Sequence, residues 1–260
     1  MKKNILLPIF FAAIILSSCS QYYYTPNSEN VPLLTKKNEV AAAINFYPPS
    51  DGGVGIEFQT AYAAGNHVAI QINGGGGSGS DNSTVPDIIG GGNGSTTDAS
   101  GGGGYFEGGV GYFLPFGPRK RFVFESYGIF SLGWMNTTYT SPSQFNGNGS
   151  IKAGMTRLAI QPSIGYKAKH FEIALSLRAG DVSYSNESGD LVLDQKNQLD
   201  YLKQNKNQFF VEPALTLKVG GPSIKGQLQI GSSTDETSRD FPTVNSWLSI
   251  GLNFNFYAKK

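Results

Sequence analysis

The side chains best suited to nucleophilic or acid–base work are few: His67, His170 and Cys19. A histidine can serve as a general base near neutral pH, and a thiolate can attack or bind metal. One cysteine allows neither an internal disulfide nor a cysteine metal cluster. His67 ends Gly65-Asn66-His67 and His170 ends the stretch Lys167 to His170, both with the spacing of tight turns. A second set of candidates is charged. Glu57, Glu107, Glu125 and Glu212, with Arg157 and Arg178, fall on the polar side of otherwise alternating segments, as do Lys167, Lys218, Lys225, Arg121 and Glu172. A third is the glycine-rich run GGSGSDNST, Gly76 to Thr84, which fits in part a calcium-binding nonapeptide. That chemistry needs stacked repeats that share each ion. Here Ser83 stands where a large apolar residue belongs, and the following GGNGSTTDA is a degenerate copy. No Lys-Ser or Lys-Thr follows these glycines, so a phosphate cradle is excluded. The expectation is a polar surface loop without metal or cofactor.

What must position these residues is read from composition and period. Charged residues make up 15% of the chain, glycine is abundant (34 residues), and the net charge is +1. A soluble domain carries about 25% charge. No basic block points to nucleic acid. Beyond residue 30 no long stretch repeats apolar residues at helical spacing, whereas period two recurs throughout. Val244, Leu248, Ile250, Leu252, Phe254 and Phe256 alternate with Asn245, Ser249, Gly251, Asn253 and Asn255. Similar patterns occupy 38–48, 53–65, 67–74, 104–116, 121–134, 157–167, 171–178, 209–219 and 222–231, which makes ten strands.

The connections alternate as well. Tight links at 65–67, 117–119, 167–170 and 220–222 are interleaved with longer ones at 48–53, 75–103, 137–150, 185–207 and 232–243. Short turns at one end and long loops at the other mark an antiparallel up-and-down transmembrane β-barrel, all-β. A soluble, lipid-tethered barrel with its apolar face inward, binding an apolar ligand, has the same period. Two features favour the membrane: the polar face is rich in Gly, Ala, Ser, Asn and Gln, and aromatics gather near the tight turns (Tyr62, Phe116, Phe122, Tyr166, Phe171, Phe256).

The N-terminus explains the cysteine. Lys2 and Lys3 precede an apolar stretch from Ile5 to Leu16, too short to span a bilayer, followed by Ser17 and Ser18. This reads as a secretory signal, and Leu16-Ser17-Ser18-Cys19 resembles a bacterial lipobox, whose cysteine is acylated and becomes the new N-terminus. By that resemblance Ser20, in place of an aspartate, directs sorting to the outer membrane. The expected divisions are a cleaved signal over 1–18, a lipidated connector over 19–37 and a barrel over 38–260, with both termini periplasmic.

With these elements in place, the chain resembles bacterial outer-membrane β-barrels, and the lead-in YTPNSENVPLL resembles that of lipobox-bearing barrels of Bacteroidota. The last strand matches the assembly signal of the class: Ser249 polar, Gly251, Phe254 hydrophobic and Phe256 aromatic. It departs in the tail Tyr257 to Lys260. The resemblance implies dealings with outer-membrane lipids and with the barrel-assembly and lipoprotein-sorting machinery. Omptin-like proteases need Asp and His at the outer rim, and lipid A deacylases a His-Ser pair on the outer wall; His67 and His170 lie at the opposite end. No enzymatic role is expected. In a ten-stranded barrel the lumen charges either fill the interior as ion pairs or line a small pore or transport channel; size favours filling. The role that follows is structural, or surface interaction through loops 75–103, 137–150 and 185–207.

Overall fold

The alternating segments become ten antiparallel strands in the computed structural model, which describes residues 23–47, 53–85, 95–140, 147–193, 195–238 and 240–258. They are β1 (Glu39–Tyr47), β2 (Val54–Tyr62), β3 (Val68–Val85), β4 (Ser95–Phe116) and β5 (Phe122–Thr140). The remainder are β6 (Gly149–Lys167), β7 (Phe171–Gly189), β8 (Asn207–Gly220), β9 (Ile224–Ser232) and β10 (Ser246–Tyr257). Each pairs with its neighbours in sequence, and β1 also pairs with β10, Glu39 opposite Tyr257 and Phe46 opposite Ile250. The sheet is therefore closed, with no exposed edge.

The period decides which face looks out. On β7, Phe171, Ile173, Leu175 and Leu177 are exposed while Glu172, Ala174, Ser176 and Arg178 are buried. Leu158, Phe106 and Leu175 are 60–65% exposed, and the same belt runs around every strand. An apolar surface this continuous is stable only in contact with lipid. This excludes the inward-facing apolar pocket of a tethered soluble barrel. At the short-turn end Phe116, Phe122 and Tyr166 form a ring cluster, with centroids 5.7 and 5.4 Å apart, and Phe171 and Phe256 are exposed at the same end.

Two expectations need correction. The stretch 75–103 is mostly strand: Gly76 faces Gly104, Gly79 faces Gly101, and the β3–β4 ladder runs to Val85 opposite Ser95. Glycine and serine carry no apolar alternation, so a ladder held by backbone bonds alone leaves no period to read. Likewise β5 and β6 extend to Thr140 and from Gly149, and β7 to Gly189, so the loops over 137–150 and 185–207 are shorter than expected. The β7–β8 connection contains a two-residue hairpin pair (Val192–Leu193 with Lys196–Asn197) and the helix α1, Gln198–Gln204. Asn197 caps α1 by accepting from Leu199 and Asp200 N–H.

The larger correction concerns the connector. Its described part is not outside the barrel. Residues 23–24 and 26–34 are buried, and the chain descends through the lumen from the long-loop end to Asn38 beside the start of β1. Tyr24 forms a parallel bridge with Thr243, just ahead of β10. The first described residue, Tyr23, and the end of β10, Tyr257, consequently lie at opposite ends of the barrel, so the described chain does not begin and end on one side. The signal segment and Cys19 lie outside the described residues.

Candidate functional site

A strand inside a barrel has no neighbouring backbone to pair with, yet its peptide groups must find partners. Here the inward-facing side chains supply them. Gln229 acts like an adjacent strand: its Oε1 accepts from Glu29 N–H at 2.7 Å and its Nε2 donates to Glu29 C=O at 2.9 Å. Glu57 accepts from Ser28 N–H at 3.1 Å, and Gln59 donates to Ser28 C=O at 2.9 Å. Gln161 donates to Asn30 C=O at 2.8 Å, Lys218 to Val31 C=O at 2.7 Å and Lys167 to Leu33 C=O at 2.8 Å. Pro26 and Pro32 bring no N–H that would need an acceptor.

Leu33 is the sharpest point of this segment, with a φ of 51°. That turn aims two successive N–H groups at one carboxylate: Leu33 at Glu125 Oε2 (3.0 Å) and Leu34 at Glu125 Oε1 (2.8 Å). Successive amides converging on an anion form a small anion-binding concavity. Thr35 then donates through N–H and Oγ1 to Glu39 Oε2, at 2.7 and 2.8 Å, which closes the strap onto β1.

The charges form two tiers around the strap. In the upper tier Arg178 donates from Nε to Glu212 Oε2 at 2.6 Å and from Nη2 to Asn27 C=O at 2.8 Å. Arg157 donates to Glu107, to Asn27 Oδ1 (2.8 Å) and to the Tyr24 hydroxyl (2.8 Å), and Tyr24 donates to Glu212 at 3.0 Å. In the lower tier Lys167 pairs with Glu39 at 2.6 Å, and Glu172 lies 3.0 Å from Lys225 and 3.6 Å from Lys218. Buried ions persist only with such partners.

Of the six charges singled out in the sequence, Glu107, Glu212, Arg157 and Arg178 meet in the upper tier. Glu57 is at that level but holds a strap amide rather than an arginine. Glu125 does not share their depth; it belongs with the lysines below. Arg121 leaves the network and donates to the Tyr166 hydroxyl at 2.9 Å. Sequence reasoning missed Tyr24, Glu29, Glu39 and Gln229, because the strap has no period and its ionic partners bond to backbone groups rather than to opposite charges. Two prolines and a run of polar residues directly ahead of the first strand were the available signal.

Ser249 and Gly251 face the lumen, while Phe256 faces out at 50% exposure. A Cβ on Gly251 would stand 2.2 Å from Asn45 Oδ1 and 2.3 Å from Ile44 C=O. Gly251 lies between Asn45 of β1 and Gln227 of β9, and the Gln227 amide donates to Asn45 Oδ1 across it at 3.1 Å. His67 and His170 hydrogen-bond through Nδ1 to the carbonyls of Phe113 and Gly220, each at 3.0 Å, at the short-turn end. At the other mouth a cavity of about 160 Å³ separates the strap at Tyr23 to Asn27 from the glycine wall of β4, with Tyr47 and Met135 on its flanks.

Closed strands, a lipid-facing belt and a polar lumen together define a transmembrane β-barrel. No family model matches the sequence, and a search of the curated proteins finds no match. Among solved structures, the outer-membrane protease OmpT of Escherichia coli is similar at a TM-score of 0.44 and 10% identity, covering 85% of this chain and 94% of that one. A major outer-membrane protein of Thermus thermophilus aligns at 0.37 and 14% identity, over 84% and 98%. The NanC porin aligns at 0.37 and 9% identity, over 85% and 100%.

Proposed function

We propose that the protein is an outer-membrane lipoprotein, anchored at Cys19, whose barrel is a closed structural or surface-interaction module rather than a pore. The observation that carries this reading is the strap. Its backbone runs the length of the lumen and is bonded to side chains of most of the barrel strands, and ten-stranded barrels have little room to spare. The long loops then face the exterior, with the mouth cavity among them as the recessed part of that surface. Outer-membrane lipids, the sorting and barrel-assembly machinery, and an exterior partner of the loops are the contacts this role requires.

Conductance of the purified protein in planar bilayers tests it. Closed behaviour is expected, with no steady unitary openings. Steady ion-selective openings would make the strap a lining rather than a plug and the protein a transport channel.

A further inference from the structure

The path of the strap fixes where the chain ahead of it can go. Tyr23 donates its N–H to Pro242 C=O at 2.9 Å and its hydroxyl to Gln198 Oε1 at 2.6 Å, while its carbonyl accepts from the Tyr184 hydroxyl at 3.0 Å. Its ring packs on Tyr201 and Phe241, at 6.0 and 5.5 Å. Pro242, Gln198, Tyr201 and Phe241 all belong to the long-loop connections, beyond the strand ends. Tyr23 is thus pinned at that mouth from three sides.

Cys19 stands four residues upstream. Four extended residues span at most about 14 Å, against an apolar band about 25 Å tall on barrels of this class. The lumen offers no return path, since the strap and its ion pairs occupy it. We infer that the chain leaves the barrel through the long-loop mouth, and that an acylated Cys19 inserts its lipid chains in the leaflet on the long-loop side, opposite the end where β10 finishes. This rests on the proposed acylation of Cys19 as the start of the mature chain. It replaces the expected periplasmic-side anchor with a second hold on the face that carries the loops. It also constrains assembly. A diacylated terminus is too bulky to be drawn through a filled lumen, so β1 and β10 must close around a strap already in place.

Labelling of whole cells with a membrane-impermeant maleimide tests this, each variant carrying one added cysteine beside Cys19, whose thioether does not react when acylated, and the parent serving as the blank. Ser188→Cys, exposed near the end of β7, marks the long-loop side, and Lys169→Cys, exposed in a short turn, marks the other. Gln21→Cys is expected to label under the conditions that label Ser188→Cys and to stay unlabelled where only Lys169→Cys reacts. Labelling of Gln21→Cys together with Lys169→Cys, or none where Ser188→Cys reacts, overturns the inference. Incorporation of an alkynyl fatty acid into the parent, and its loss in Cys19→Ala, reads acylation separately. A parent without lipid label removes the anchor while leaving the exit path to be judged by the thiols.

Discussion

Glu125 shows what the inward charges do at the scale of a residue. It is buried, and both carboxylate oxygens are occupied by strap amides rather than by a cation. Glu125→Gln keeps one acceptor and turns its amide NH2, a donor, toward the second N–H, leaving a buried donor unpaired. Such an orphan costs about 1–3 kcal/mol. Glu125→Ala orphans both amides and is expected to cost more. Urea unfolding in detergent micelles, followed by heat-modifiable migration on gels, checks the order parent, Gln, Ala. Equal midpoints for all three would mean that the strap is not held at Leu33. The glutamate was legible in the sequence as an inward charge, because period two assigns faces. Its partner was not, since a carboxylate bonded to backbone N–H leaves no complementary charge to find.

At the scale of elements, the seam between β1 and β10 closes the barrel, and Gly251 sits on it. Gly251→Val would drive a side chain into Ile44 C=O and break the Asn45–Gln227 bridge. A marked loss of the folded, fast-migrating band is expected after assembly. Gly226→Ala, whose added Cβ meets nothing closer than 3.7 Å, serves as the control and should fold as the parent does. If both variants fold alike, the close approach at Gly251 does not matter to closure. Strand number, direction and facing were readable because Phe, Ile, Leu and Val alternate on most strands. The upper halves of β3 and β4 were not, since Gly74 to Gly79 and Gly101 to Gly104 pair through backbone alone. In the sequence the strap looks like a linker, because an extended segment served by side chains from many strands shows neither helical nor strand period.

At the scale of the whole molecule, the inward face of the barrel is arranged to hold a peptide. Glutamines serve the Glu29 amide and the carbonyls of Ser28, Glu29 and Asn30, carboxylates the N–H groups of Ser28, Leu33, Leu34 and Thr35, and lysines the carbonyls of Val31 and Leu33, while arginine–glutamate pairs fix the upper end. The lumen is therefore one folding unit with the wall, and the strap should exchange its amide protons as slowly as the strands do. Hydrogen–deuterium exchange over peptides spanning residues 24–37, compared with peptides of β1, measures this directly. Protection of the amides of Ser28, Glu29, Leu33 and Leu34 on the timescale of β1 is the expected result. Complete exchange within seconds, as in a free tail, would contradict a barrel closed by its own N-terminal segment.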